Sequence, residues 1–305
     1  MSKIACVFPG QGSQSVGMLA DLASDFSIVK SVFEEASDAI GYNLFKVTQR
    51  DDGQLSQTEI TQPALLTASV ACLRVLQSET DFTPHFYAGH SLGEYTALVA
   101  ANVLGLSAGV KLVQARGQFM QQAVAPGEGA MYAIIGLDDN IIADVCAKVA
   151  ADTKQVVAPV NYNSPGQVVI AGTKKAADAA ALALKAAGAK KALSLAVSVP
   201  SHCLLMKGAS IKLQALLNAI VFKQPTTPIV NNVDVAVNDN VDDIKDALVR
   251  QLYMPVRWSQ SVTYLIAQEV SEFVEVGPGK VLSGLIKRID KSVTTRNMNS
   301  AKDLV

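Results

Sequence analysis

The apolar positions of the chain follow two patterns, and their alternation predicts the architecture. Residues 4–8 form an almost wholly apolar run, the signature of a strand buried on both faces. Helical spacing of apolar residues follows over about 28–40, 62–78, 92–102 and 108–124, with a short apolar stretch at 85–88. Towards the other end, 228–233 and 272–276 read as strands, separated by helical patterns over 243–252 and 258–268. Strands alternating with helices imply a parallel sheet covered on both faces.

The middle of the chain has a different rhythm. After the break Pro126-Gly127-Glu128-Gly129 the pattern predicts a strand (131–136), a helix (140–151), two strands (155–161 and 167–171) joined by a turn at 163–166, an alanine-rich helix (175–187) and a last strand (192–199). The order β-α-β-β-α-β is that of a ferredoxin-like unit. The expectation is therefore a large α/β domain made of 1–125 and 200–305, with a small ferredoxin-like domain, 126–199, inserted between its halves.

Composition narrows the class. The 305 residues are 50% hydrophobic and only 17% charged, which suits a large buried core. A formal net charge of −1 gives no global field to attract nucleic acid or an anionic membrane. Cys6, Cys72, Cys146 and Cys203 are scattered, with no metal-type spacing, and read as small buried hydrophobes in a reducing cytoplasm. The few apolar residues before Pro9 are too short for the apolar region of a signal peptide, and no run approaches a membrane span. A cytoplasmic location with no membrane partner is expected.

Against this background one segment carries chemistry. Gly89-His90-Ser91-Leu92-Gly93-Glu94 lies between a short apolar stretch and a helical pattern. G-x-S-x-G in a strand–turn–helix setting is a nucleophile elbow, which holds a serine hydroxyl at a helix N-terminus. There the free N–H groups and the helix dipole favour a developing oxyanion. Acyl transfer through a serine ester is the chemistry this arrangement suits.

A serine nucleophile needs a base, most often histidine. Of the three histidines, His90 adjoins Ser91 on the elbow and should point away from its hydroxyl, and His85 starts the preceding strand. His202, in Pro200-Ser201-His202, remains. No aspartate can be assigned as a third member: Asp243 and Asp246 fall on what should be a solvated helix face, and a backbone carbonyl could orient the ring equally well. Arg116 has apolar neighbours at helical spacing (Leu112, Val113, Phe119, Met120). It reads either as a snorkelling or salt-bridged arginine or as a clamp for a substrate carboxylate. The loop Pro9-Gly10-Gln11-Gly12-Ser13 lacks a nucleotide-binding pattern and fits better as a donor of backbone N–H to an oxyanion. The histidines show no metal-binding spacing.

Several motifs occur together and in order: Phe8-Pro9-Gly10-Gln11-Gly12-Ser13-Gln14, Thr61-Gln62-Pro63-Ala64-Leu65, the elbow, Gln114-Ala115-Arg116-Gly117, Asn161 to Gln167, Pro200-Ser201-His202 and Glu275-Val276-Gly277-Pro278-Gly279. In this the chain resembles the malonyl-CoA:acyl carrier protein transacylases, most closely the stand-alone bacterial enzymes of fatty-acid synthesis. The resemblance covers residue 4 to about 288. It implies an α/β-hydrolase-like large domain with a ferredoxin-like small one, and malonyl transfer from malonyl-CoA to an acyl carrier protein by a ping-pong mechanism. It implies that Ser91 is the nucleophile, His202 its acid/base partner and Arg116 the partner of the malonyl carboxylate. The N–H groups of Gln11 and Leu92 would form the oxyanion hole, and the main-chain carbonyl of Gln251 would hold the histidine. No cofactor is implied; malonyl-CoA and CoA are substrate and product. The elbow is shared with serine esterases and thioesterases, which place an acid between serine and histidine in the chain. The stretch after Asp290 matches no motif and has no expected role. Lys190-Lys191, Lys287-Arg288 and Lys291 are candidates for docking an acidic carrier, or ordinary solvated cations.

Overall fold

The computed structural model describes residues 3–196 and 199–304. Among them nine strands alternate with helices: β1 (Lys3–Phe8), β2 (Phe86–Gly89), β3 (Gly129–Ile135), β4 (Val157–Ser164), β5 (Gln167–Thr173), β6 (Lys191–Ser194), β7 (Ile229–Val230), β8 (Val270–Val276) and β9 (Thr294–Met298). Five of them form one parallel sheet in the order β7-β2-β1-β8-β9. Parallel neighbours need crossover connections, and the chain supplies helices for them on both faces.

The central strand shows why both faces must be covered. Ala5, Cys6, Val7 and Phe8 are all fully buried. Because successive side chains point to opposite faces, Cys6 and Phe8 enter the larger core, with the helices Ser27–Ile40, Thr58–Glu79, Leu92–Ala100, Leu106–Ala123 and Lys207–Ala219. Ala5 and Val7 enter a second core, with Trp258 and Val262 from the helix Trp258–Ala267 and Leu282 and Ile286 from the helix Val281–Ile289.

The middle segment forms its own antiparallel sheet, order β4-β5-β3-β6. One face packs on the helices Asp139–Thr153 and Lys174–Ala186, through Ile134, Val168, Ile170, Ile142 and Leu184 among others. The other face gathers Met131, Val169 and Ala171 with Cys203, beside His202. Backbone hydrogen bonds fasten the two sheets' units together: Val256 N–H donates to Val160 O, and Tyr162 N–H to Val256 O, both at 2.9 Å.

Four readings change. The strand expected over 228–233 pairs only at Ile229–Val230, because Asn231 Oδ1 accepts from Val233 N–H (3.1 Å) and Asp234 N–H (2.7 Å) and turns the chain. The strand expected over 192–199 pairs over Lys191–Ser194, and its residues 197 and 198 lie outside the described residues. The turn expected at 163–166 is shorter, since β4 continues to Ser164 and only Pro165-Gly166 turns. The stretch after Asp290, with no expected role, supplies β9, which extends the large sheet beside β8.

Candidate active site

Ser91 stands between β2 and the helix Leu92–Ala100 with φ 53° and ψ −104°, a conformation that costs a non-glycine residue energy. The flanking glycines make the turn possible. A Cβ on Gly89 would lie 1.9 Å from the carbonyl carbon of Gly93, and one on Gly93 would lie 2.1 Å from the carbonyl oxygen of Phe8. The strain at Ser91 is held by Asn232, whose Oδ1 accepts the Ser91 N–H at 2.7 Å while its Nδ2 donates to Gly89 O at 2.7 Å.

His202 reaches Ser91 from the point where the chain returns from the small sheet. Its backbone N–H donates to Leu252 O at 3.0 Å. The ring Nε2 lies 2.7 Å from Ser91 Oγ, and Nδ1 lies 2.6 Å from Gln251 O. A carbonyl oxygen can only accept, so Nδ1 carries the proton and Nε2 presents its lone pair to the hydroxyl. Burial pushes the imidazole pKa down to about 3; the charge of Arg116 and the neighbouring His90 add to this, and the Gln251 carbonyl opposes it. The ring is therefore neutral at pH 7 and able to accept a proton.

Arg116, on the helix Leu106–Ala123, is buried to 1% exposure, and its guanidinium forms no ion pair among the described residues. Nη1 donates to Gln62 Oε1 at 2.8 Å, and Nη2 to Gln251 Oε1 at 3.0 Å and Ser91 Oγ at 3.3 Å. The guanidinium lies over the Tyr95 ring, 5.1 Å from its centroid. Burial lowers its pKa, opposed by Tyr95 and Glu94. Neutral amide oxygens thus hold a buried cation in place, a poor resting state unless an anion completes it. This excludes the snorkelling and salt-bridged readings of Arg116.

A cavity of about 220 Å³ opens over these groups. Gln11 and Leu92 line it, as do Met131 and Val169 from the small sheet, so both sheets build its walls. Neither the Gln11 nor the Leu92 backbone N–H has a hydrogen-bond partner among the described residues. The other histidines go elsewhere: His90 Nε2 lies 2.9 Å from Asn163 Oδ1, and His85 Nδ1 accepts from Ile4 N–H at 3.2 Å. Asp246 pairs with Arg250 at the surface. Among the described residues no group of three or more His, Cys, Asp or Glu could hold a metal, and no helix is long and apolar enough to cross a membrane.

All six residues expected at the site, Ser91, His202, Gln251, Arg116, Gln11 and Leu92, are brought together. The sequence reading missed Asn232, Glu94 and the side chain of Gln251. Glu94 is buried, and burial pushes its carboxyl pKa up to about 7, against the pull of Gln251, Asn232 and Arg116. The available signal was polar residues at the ends of apolar parallel strands, where α/β sheets place their sites. Asn232 follows β7 in that position, and Glu94 closes the elbow motif.

Comparison with known proteins identifies the family. A model of the acyl transferase domain matches residues 5–303. Malonyl CoA-acyl carrier protein transacylase of Escherichia coli K12 is 58% identical over 98% of this chain and 96% of its own. The crystal structure of an acyl carrier protein S-malonyltransferase from Vibrio cholerae is 54% identical, covers 99% of both chains and superposes with a TM-score of 0.96. A malonyl-transacylase solved in complex with its type II PKS acyl-carrier protein is 53% identical over 99% of this chain and 98% of its own, with a TM-score of 0.97.

Proposed function

The chain belongs to the acyl transferase family, among the malonyl CoA-acyl carrier protein transacylases, and from that premise we propose that it moves a malonyl group from malonyl-CoA to the phosphopantetheine thiol of a holo acyl carrier protein, supplying fatty-acid synthesis. One observation carries the reading. The Ser91 hydroxyl lies 2.7 Å from a neutral imidazole nitrogen and 3.3 Å from a buried guanidinium. An acyl group on that oxygen has its reacting carbonyl beside the base and a distal carboxylate within reach of a fixed cation.

Ser91 Oγ attacks the thioester carbonyl as its proton passes to His202 Nε2. The N–H groups of Gln11 and Leu92 receive the oxyanion. Collapse breaks the C–S bond, and the proton returns from Nε2 to the departing CoA sulfur. The phosphopantetheine thiol then repeats the sequence on the malonyl ester, with His202 taking the thiol proton and returning it to Ser91 Oγ. The malonyl carboxylate on Arg116 offsets one of the charges that depress His202, so the correct substrate also makes the base stronger. No cofactor takes part; malonyl-CoA and CoA are substrate and product.

The finer architecture follows the same reading. The parallel sheet with its elbow is an α/β-hydrolase-like domain of 1–125 and 200–305. The order β-α-β-β-α-β and the strand order β4-β5-β3-β6 support a ferredoxin-like domain over 126–199. Arg288, whose guanidinium donates to the cavity residue Gln167, belongs with Lys287, Lys291, Lys190 and Lys191 to a basic rim for an acidic carrier protein. The thioesterase alternative has no observation in its favour: His202 is held by a carbonyl rather than a carboxylate.

Intact mass after brief incubation with malonyl-CoA tests the proposal. A malonyl adduct is expected on the wild type and not on Ser91→Ala, stable in water and discharged by holo carrier protein. An adduct lost to water without a carrier would indicate a hydrolase, and no adduct would remove the malonyl assignment.

A further inference from the structure

Beneath the nucleophile lies a closed ring of buried polar groups that never touches the cavity. Asn232 bridges the elbow as described, accepting from Ser91 N–H and donating to Gly89 O. Its own backbone N–H donates to Glu94 Oε2 at 2.9 Å. The same oxygen accepts from Gln251 Nε2 at 2.8 Å, and Nε2 also donates to Ser91 O at 3.0 Å, which closes the ring on the nucleophile's backbone. Gln251 extends it outward, with Oε1 on Arg116 and its main-chain carbonyl on His202. Glu94, Asn232 and Gln251 are all buried, and neither Glu94 nor Asn232 lines the cavity.

The ring is directional. Glu94 Oε2 already accepts from the Asn232 N–H and accepts again from Gln251 Nε2, so Glu94 holds the NH2 end of the Gln251 amide to itself and leaves the oxygen end facing Arg116. The Asn232 amide, in turn, satisfies a donor and an acceptor of a backbone turn that serine adopts only under strain. Fully satisfied buried networks of this kind fix one arrangement and tolerate partial loss poorly.

We propose that Asn232 and Glu94 are positioning residues of the acyl transfer: Asn232 holds the strained Ser91 turn in its reactive form, and Glu94 anchors Asn232 and orients Gln251 towards His202 and Arg116. The inference deepens the reading of Ser91 as an acyl-accepting nucleophile and rests on it.

The test uses the full-length chain with Asn232→Ala, Asn232→Asp, Glu94→Leu and Glu94→Gln. Two quantities are measured per folded molecule, with folding followed by near-UV circular dichroism: kcat and KM for malonyl transfer, and the second-order rate of Ser91 labelling by an uncharged fluorophosphonate. Asn232→Ala should lower kcat and the labelling rate together by at least thirtyfold, with KM for malonyl-CoA moved less than threefold. Glu94→Gln, which keeps an acceptor oxygen, should recover at least tenfold of what Glu94→Leu loses. If Asn232→Ala fails to fold, Asn232→Asp, which keeps an oxygen for Ser91 N–H but loses the donor to Gly89 O, is expected to show at least a fivefold loss in both rates. Labelling per folded molecule within threefold of wild type in the Asn232 variants, or no difference between the two Glu94 variants, overturns the proposal. The labelling needs no malonyl donor, so it stands even where the malonyl assignment fails.

Discussion

His202 keeps Nε2 free of a proton because Nδ1–H already donates to Gln251 O, and because a buried imidazolium beside Arg116 would be costly. An ordinary histidine, with a pKa near 6.5, would be about 3% neutral at pH 5. Here burial and Arg116 push that value down to about 3, so the ring stays neutral through pH 5. Labelling of Ser91 by an uncharged fluorophosphonate should accordingly change less than threefold between pH 7.5 and pH 5. A fall of about thirtyfold, the behaviour of an unperturbed histidine, would contradict the assignment. At this scale the sequence was informative about residues whose chemistry has few alternatives, a serine on an elbow and the one histidine left by elimination. Arg116 was ambiguous because apolar neighbours at helical spacing suit a snorkelling side chain as well as a buried one. Asn232 was silent because asparagine after a strand usually only turns the chain, and its neighbour Asn231 does that here.

The elbow is an element whose geometry leaves no spare volume. Gly93 packs its α-carbon against the end of β1, and a methyl group there would meet the Phe8 carbonyl oxygen at 2.1 Å, a backbone atom that cannot swing aside. Gly93→Ala should therefore destabilise the fold by about 1–3 kcal/mol, the usual cost of overpacking. Thermal unfolding should show a Tm lower by several degrees, with Ser91 labelling slowed in the molecules that remain folded; an unchanged Tm would mean that β1 yields. Elements written in long apolar runs were legible, including β1 and the helix Thr58–Glu79, as was the alternation of strands and helices in the middle segment. Two were not. The helix Lys207–Ala219 buries Ala209, Leu213 and Leu217 at a spacing of four but leaves Ile211 exposed between them, which blurs the stripe. β9 has mostly polar residues, Thr294-Thr295-Arg296-Asn297, because it is an edge strand with little to bury.

Across the whole molecule, function depends on two sheets meeting at one cavity. Their strand alternation was readable in advance, whereas the seam through Val256 was not, since a backbone hydrogen bond leaves no mark on residue type. The basic rim proposed for the carrier protein spans this junction, with Arg288 of one unit donating to Gln167 of the other. Reversing charge at Arg288 and Lys291 should raise the apparent KM for the carrier severalfold and leave that for malonyl-CoA within twofold. Equal effects on both would assign the rim to general electrostatics. The long reach of these contacts also bears on when the site comes into being. The amide that braces Ser91 arrives 141 positions later in the chain, and the carbonyl that holds His202 belongs to a residue 160 positions beyond Ser91. At a synthesis rate of roughly 5–20 residues per second, that interval lasts on the order of ten to thirty seconds. A growing chain on the ribosome thus carries its serine unbraced and without its oriented base, and spends no acyl-CoA until Asn232 and Gln251 have been made and folded back onto the elbow.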